Sequence, residues 1–135
     1  MRLKINDLGA IELLGMEFHS YHGCLEREKT EGNTFVVDFL GHINIKRAGA
    51  SDDLEKTIDY SAVYDIIARE MAKPSDLLEN VAGRIVDCLA REFGEMLFIQ
   101  VRVAKKNPPV GGICAWSRVT ASYGEDLAPD ELKNY

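Results

Sequence analysis

The side chains best suited to proton transfer and to paired hydrogen bonding lie in two places. The first is Lys105, which ends the run Leu97 to Lys105, where apolar and polar residues alternate. Lys105 continues the phase of Leu97, Ile99, Val101 and Val103, and Lys106 continues that of Gln100 and Arg102. If the pleat holds to that point, Lys105 faces the more apolar side. Desolvation there makes a neutral amine more accessible near pH 7, as a general base or proton shuttle requires. A solvated lysine at a strand end is the ordinary alternative. The second is Glu79, in Asp76-Leu77-Leu78-Glu79. A carboxylate can accept from two adjacent N–H donors at once. The Asp-x-x-Glu spacing also matches a helix-capping arrangement, and on spacing alone capping is the stronger reading.

His19 and His22 have the spacing HxxH. On an extended segment, residues three apart face opposite ways, and no third ligand is evident, so no metal site is expected. Cys24, Cys88 and Cys114 are odd in number and lack CxxC spacing, which points to buried or free thiols.

These residues need elements to hold them. Phe35, Val37, Phe39, Ile43 and Ile45 alternate with polar residues and predict a strand from Thr34 to Lys46. An earlier strand is expected over Ala10 to Phe18, although its apolar residues occupy both phases. The segment from His22-Gly23 to Gly32-Asn33 reads as a charged loop. Val63, Ile66, Ile67 and Met71 predict a helix capped by Asp59 or Ser61 and ended by Pro74. Leu78, Val81, Ile85, Cys88, Leu89 and Phe93 predict a second helix starting near Asp76. Strands over Met96 to Lys105 and Ile113 to Tyr123 follow, separated by Asn107-Pro108-Pro109 and Gly111-Gly112. The order is ββααββ, an α+β chain with two helices on one face of a four-stranded sheet. Its open edges favour pairing with further copies.

With 135 residues, 46% of them hydrophobic, the chain fits one domain over 1–123 with a polar tail over 124–135. A net charge of −6 with scattered Lys and Arg argues against nucleic acid as a partner. The N-terminus lacks a signal-peptide core, and no apolar run approaches the ~20 residues of a membrane span. A soluble, cytoplasmic protein is expected.

Taken in order, several segments resemble the dihydroneopterin aldolase family. They are Gly15-Met16-Glu17-Phe18, Tyr21-His22-Gly23, Glu28 with Gly32, and Phe35-Val36-Val37-Asp38. Ser51-Asp52-Asp53-Leu54, Thr57-Ile58-Asp59-Tyr60, Leu77-Leu78-Glu79 and Lys105-Lys106-Asn107-Pro108-Pro109 continue the match to about Tyr123. The resemblance implies the tunnelling fold, whose sheets join into a ring-shaped barrel. It also implies a homo-oligomer, commonly an octamer of two tetrameric rings, with active sites between subunits. The implied reaction is in the folate pathway. It splits 7,8-dihydroneopterin into 6-hydroxymethyl-7,8-dihydropterin and glycolaldehyde without cofactor, Schiff base or metal.

Under that resemblance each residue takes a role. Glu79 holds the pterin edge, and Leu78 and Ile58 line the slot or offer backbone contacts. Lys105 moves the proton. Glu28 orders the hydroxylated side chain, and the spacing from His22-Gly23 to Gly32 selects it over Glu26 and Glu31. Tyr60, from a neighbouring subunit, assists protonation of the cleaved intermediate. Two rivals stay open: an epimerase acting on dihydroneopterin or its triphosphate, and a noncatalytic pterin-binding scaffold. One departure stands out. After Pro109 the chain reads Val110-Gly111-Gly112-Ile113-Cys114-Ala115-Trp116, where family members often carry an acidic residue.

Overall fold

A computed structural model describes residues 5–126. Its frame is a four-stranded antiparallel sheet in the order β1-β2-β3-β4. The strands are β1 (Leu8–Ser20), β2 (Asn33–Asn44), β3 (Phe98–Lys106) and β4 (Trp116–Gly124). Two long helices, α3 (Tyr60–Met71) and α4 (Leu78–Glu92), are inserted between β2 and β3. Short helices α1 (Glu26–Thr30) and α2 (Lys46–Ser51) and a 3-10 turn over Leu54–Lys56 complete the chain. The expected α+β class and ββααββ order of major elements are therefore found. Of the tail expected over 124–135, residues 127–135 lie outside the described residues. Among the described residues no helix is long and apolar enough to cross a membrane.

The core forms between one face of the sheet and the two long helices. Phe35, Val37, Phe39, Ile99, Val101 and Val103 supply the sheet side. Val63, Ile67, Val81, Ile85 and Leu89 supply the helical side, at the 3.6-residue spacing that puts them on one stripe. Asp59 caps α3 by accepting the N–H of Ser61 at 2.9 Å.

The mixed phase of β1 has a local cause. Its register with β2 shifts between Leu13 and Met16, where Leu14 and Gly15 form a bulge. Gly15 sits at φ +72°, and its N–H donates to Asp38 Oδ1 at 2.7 Å. One extra residue moves the core-facing side chains from odd to even positions, so Ile11 and Leu13 point the same way as Met16 and Phe18.

Three sequence expectations need correction. β2 stops at Asn44, two residues early, because Asn44 Oδ1 accepts the Lys46 N–H at 3.0 Å and turns the chain into α2. The presumed loop before β2 contains helix α1. Helix α4 starts at Leu78 with Leu77 as its cap residue, and no side chain caps it. Asp76 instead pairs with Lys29, so the Asp76–Glu79 capping arrangement does not form.

Candidate active site

Lys105 keeps its strand phase to the end of β3, opposite Phe35 of β2 and Ser117 of β4. Its side chain points into the core side, only 12% exposed, whereas Lys106 is exposed. The amine is not left bare there. Its Nζ donates to Glu28 Oε2 at 2.6 Å, across 77 positions of sequence.

Glu28 is one of three neighbouring glutamates, and the only one buried. It is the third residue of α1, from which its side chain reaches back so that Oε1 accepts the Leu25 N–H at 3.3 Å. Both carboxylate oxygens are thus engaged. Burial would raise its pKa, but the Lys105 hydrogen bond, the Leu25 N–H and the Lys105 and Arg27 charges hold it below the ordinary glutamate value.

The pair lies on an open cleft of about 400 Å³ that also includes Leu78 and Glu79. Leu25, Leu77, Pro108 and Val119 supply apolar walls. Glu79, on the first turn of α4, is exposed and has no hydrogen bond or ion pair among the described residues. Its carboxylate is free to accept two donors from a ligand, and the helix N-terminus favours its charge.

Tyr60 and Ile58 lie elsewhere. Ile58 is buried beside Ile43, in a second cleft bounded by Arg47, Glu55 and Lys56. Tyr60, 59% exposed, begins α3. Phe35 and Ile43 mark the two ends of β2, eight residues or about 26 Å apart at strand rise. Within one chain, then, Lys105, Glu28, Glu79 and Leu78 share a cleft, and Ile58, two residues before Tyr60, lines a different one.

The fold agrees with comparisons to known proteins. The family model described as dihydroneopterin aldolase matches residues 11–122. The chain belongs to that family. It is a folate-pathway aldolase by this membership. The dihydroneopterin aldolase of Staphylococcus epidermidis is 37% identical over 109 residues, covering 80% of this chain and 88% of that one. Solved structures share the fold at lower identity. An Escherichia coli dihydroneopterin aldolase in complex with neopterin gives a TM-score of 0.79 at 17% identity, covering 86% of this chain and 99% of that one. A Burkholderia dihydroneopterin aldolase bound to guanine gives 0.71 at 16%, covering 89% and 93%.

The aldolase's cleft is built on a polar clamp whose members sequence reasoning did not assign. Ser75, between α3 and α4, donates its N–H to His22 Nδ1 at 3.1 Å and accepts the Gly23 N–H at 2.9 Å. Its hydroxyl donates to Asn80 at 2.7 Å and accepts from Arg84 Nη1 at 3.0 Å. Arg84 Nη2 also donates to the Glu70 and Lys73 carbonyls. The clamp fixes the start of α4, and with it Glu79, against the chain leading into α1 and Glu28. The Tyr21-His22-Gly23 segment marked one half; nothing local marked Ser75 or Arg84, because their partners are distant in sequence.

His22 and His19 diverge as the extended backbone requires. His22 is fully buried, edge-on to Phe35 at 5.1 Å, while His19 is exposed with Nε2 3.1 Å from the Glu31 carbonyl. All three cysteines are free, and Cys24 and Cys114 are exposed rather than buried. The segment from Val110 to Ala115 is exposed, and Asn107 donates its N–H to the Ala115 carbonyl at 2.9 Å.

Burial lowers the His22 pKa from 6.5 to about 4, helped by the Arg84 and Lys105 charges and opposed by the Met71 backbone. Between those two values the unfolded chain binds the extra proton. The stability due to neutral His22 is complete above about pH 6.5 and is lost as pH falls toward 4. Denaturant titrations across this interval should show a steeper fall for the natural chain than for His22→Asn; equal slopes would remove the assignment.

Gly23, at φ +145°, has the Glu28 carboxylate packed where a Cβ would stand. Gly23→Ala should therefore displace Glu28 from Lys105 and slow dihydroneopterin cleavage by roughly 10²-fold. Gly111→Ala, with open space around it, is the control.

Proposed function

We propose that the retro-aldol cleavage of 7,8-dihydroneopterin runs through Glu79, Lys105 and Glu28 of one chain and Tyr60 of another. The observation that supports this most directly is a buried carboxylate–amine pair in a cleft whose rim carries an unpaired carboxylate. The pterin edge offers an amino group beside a ring N–H, which Glu79 can accept as a pair. Leu78 and Ile58 complete the slot. The bonds at Glu79 fix orientation, so that the hydroxylated arm lies over Lys105 and Glu28. A relative's complex with neopterin and another's with guanine support a flat, amino-bearing heterocycle as ligand.

The dihydropterin ring carries a C=N bond beside the arm that can accept the electrons released when the arm's C1′–C2′ bond breaks. The protein's task reduces to removing the 2′-hydroxyl proton and returning one to the product. Lys105 is the group placed to move it, and Glu28 orders the hydroxyls. Tyr60 supplies a phenol that can donate or accept. The placement of Ile58, two residues before Tyr60, in a cleft apart from Lys105 supports a site shared between subunits, as in rings built by sheet pairing, with an octamer of two tetrameric rings as the assembly.

Incubation with 7,8-dihydroneopterin and a chelator should release glycolaldehyde in step with 6-hydroxymethyl-7,8-dihydropterin. Lys105→Gln, which keeps an N–H for Glu28, should lower kcat by about 10²–10⁴-fold while pterin binding persists. Glu79→Gln should chiefly raise KM, by about 10- to 100-fold. Undiminished turnover in Lys105→Gln would refute its role, and stereoisomer formation without glycolaldehyde would favour an epimerase.

A shared site has a second consequence. Lys105→Gln and Tyr60→Ala chains, each nearly inactive, should regain activity when unfolded and reassembled together, with about a quarter of sites intact at random mixing. No recovery in mixed oligomers would place Tyr60 outside the site.

A further inference from the structure

Glu28 and Pro109 border two clefts at once. One is the cleft with Glu79 and Lys105. The other, of about 320 Å³, opens on the far side of Glu28 between Arg27, Glu31, Asn33 and Asn107. Glu28 is therefore the saddle between them.

The polar groups of the second cleft differ in what they have left to offer. The Asn33 amide is spent, since Nδ2 donates to the Lys106 carbonyl at 2.7 Å and Oδ1 accepts the Thr34 N–H at 2.7 Å. It ties β2 to the end of β3 and fixes the cleft floor. Asn107, at φ +46°, uses its backbone N–H on Ala115, and its side chain forms no hydrogen bond among the described residues. Arg27 and Glu31 stand four apart, a spacing at which helical ion pairs commonly form. They form no salt bridge with each other or with any other described residue.

The cleft thus offers donors from Arg27 and Asn107 and acceptors from Glu31 and Asn107. Counted with the saddle pair, the charges of Arg27 and Lys105 balance those of Glu28 and Glu31. A neutral chain of hydroxyls suits this set, because each hydroxyl both donates and accepts. A phosphate ester suits it poorly, since two carboxylates would face it.

We infer that the second cleft is a distal subsite for the polyhydroxyalkyl arm and admits dihydropterins whose arm is longer than three carbons. The inference rests on the proposed placement of the arm's 2′-hydroxyl at Lys105 and Glu28, from which further carbons run over the saddle. The cleft is open and has room for more than one terminal hydroxymethyl group. With a four-carbon arm the same C1′–C2′ bond breaks. The 2′-hydroxyl proton goes to the base, the electron pair enters the ring, and C1′ is reprotonated. The products are 6-hydroxymethyl-7,8-dihydropterin and glyceraldehyde.

The test compares purified enzyme on 7,8-dihydroneopterin, its 3′-phosphate and 6-tetrahydroxybutyl-7,8-dihydropterin. The four-carbon substrate should be cleaved with kcat/KM within about tenfold of the three-carbon one, releasing glyceraldehyde. Arg27→Ala should lower the four-carbon to three-carbon kcat/KM ratio at least about fivefold, with Arg27→Lys recovering part of it. A larger deficit for the four-carbon arm, or a ratio that Arg27→Ala leaves unmoved, overturns the inference and leaves the aldolase reading intact. Preference for the 3′-phosphate over the four-carbon arm overturns it in favour of an anion subsite. Failure to cleave 7,8-dihydroneopterin itself removes the underlying reading, and the subsite with it.

Discussion

A carboxylate and an amine out of water must be satisfied by each other and by neighbouring donors, and the rest of this site follows from that constraint. Desolvating either charge alone is costly. Glu28 meets it with one oxygen on Lys105 and the other on the Leu25 N–H. That requires a helical turn at α1 to aim the carboxylate, a bare backbone at Gly23 to receive it, and an unbroken pleat in β3 to deliver Lys105. Any one of these elements is ordinary by itself. Their convergence makes a buried ion pair whose two members are separated by 77 positions.

The carboxylate proposed to bind the ring has the opposite character. Glu79 is exposed and unpaired, so its hydrogen-bonding capacity is kept for a ligand. It is held in place through backbone rather than through its own side chain, by the Ser75 clamp that joins the start of α4 to His22 and Gly23. The neutrality of His22 matters here, because Nδ1 must keep a lone pair to accept the Ser75 N–H. Burial beside Arg84 and Lys105 secures that lone pair down to about pH 4.

Much of this was legible from residue order. The alternation in β2 and β3 gave both strands and the side to which Lys105 points, since the pleat is a property of the backbone. Apolar spacing gave α3 and α4. Where the reading went astray, a tertiary or local exception intervened. The bulge at Leu14 and Gly15 inverted the phase of β1, and the amide of Asn44 ended β2 early. Capping by Asp76 was plausible by spacing, but Lys29 claimed that carboxylate.

Chain order and side-chain type by themselves determined the family and the α+β frame, because motifs and periodicities are written locally. Only the tertiary structure decided that Glu28 meets Lys105, that Ser75 and Arg84 brace the cleft, and that Ile58 lines a cleft apart from theirs. Those facts depend on which distant segments the core brings together. A hydrogen bond across such a distance leaves no mark in the spacing of either partner's neighbours.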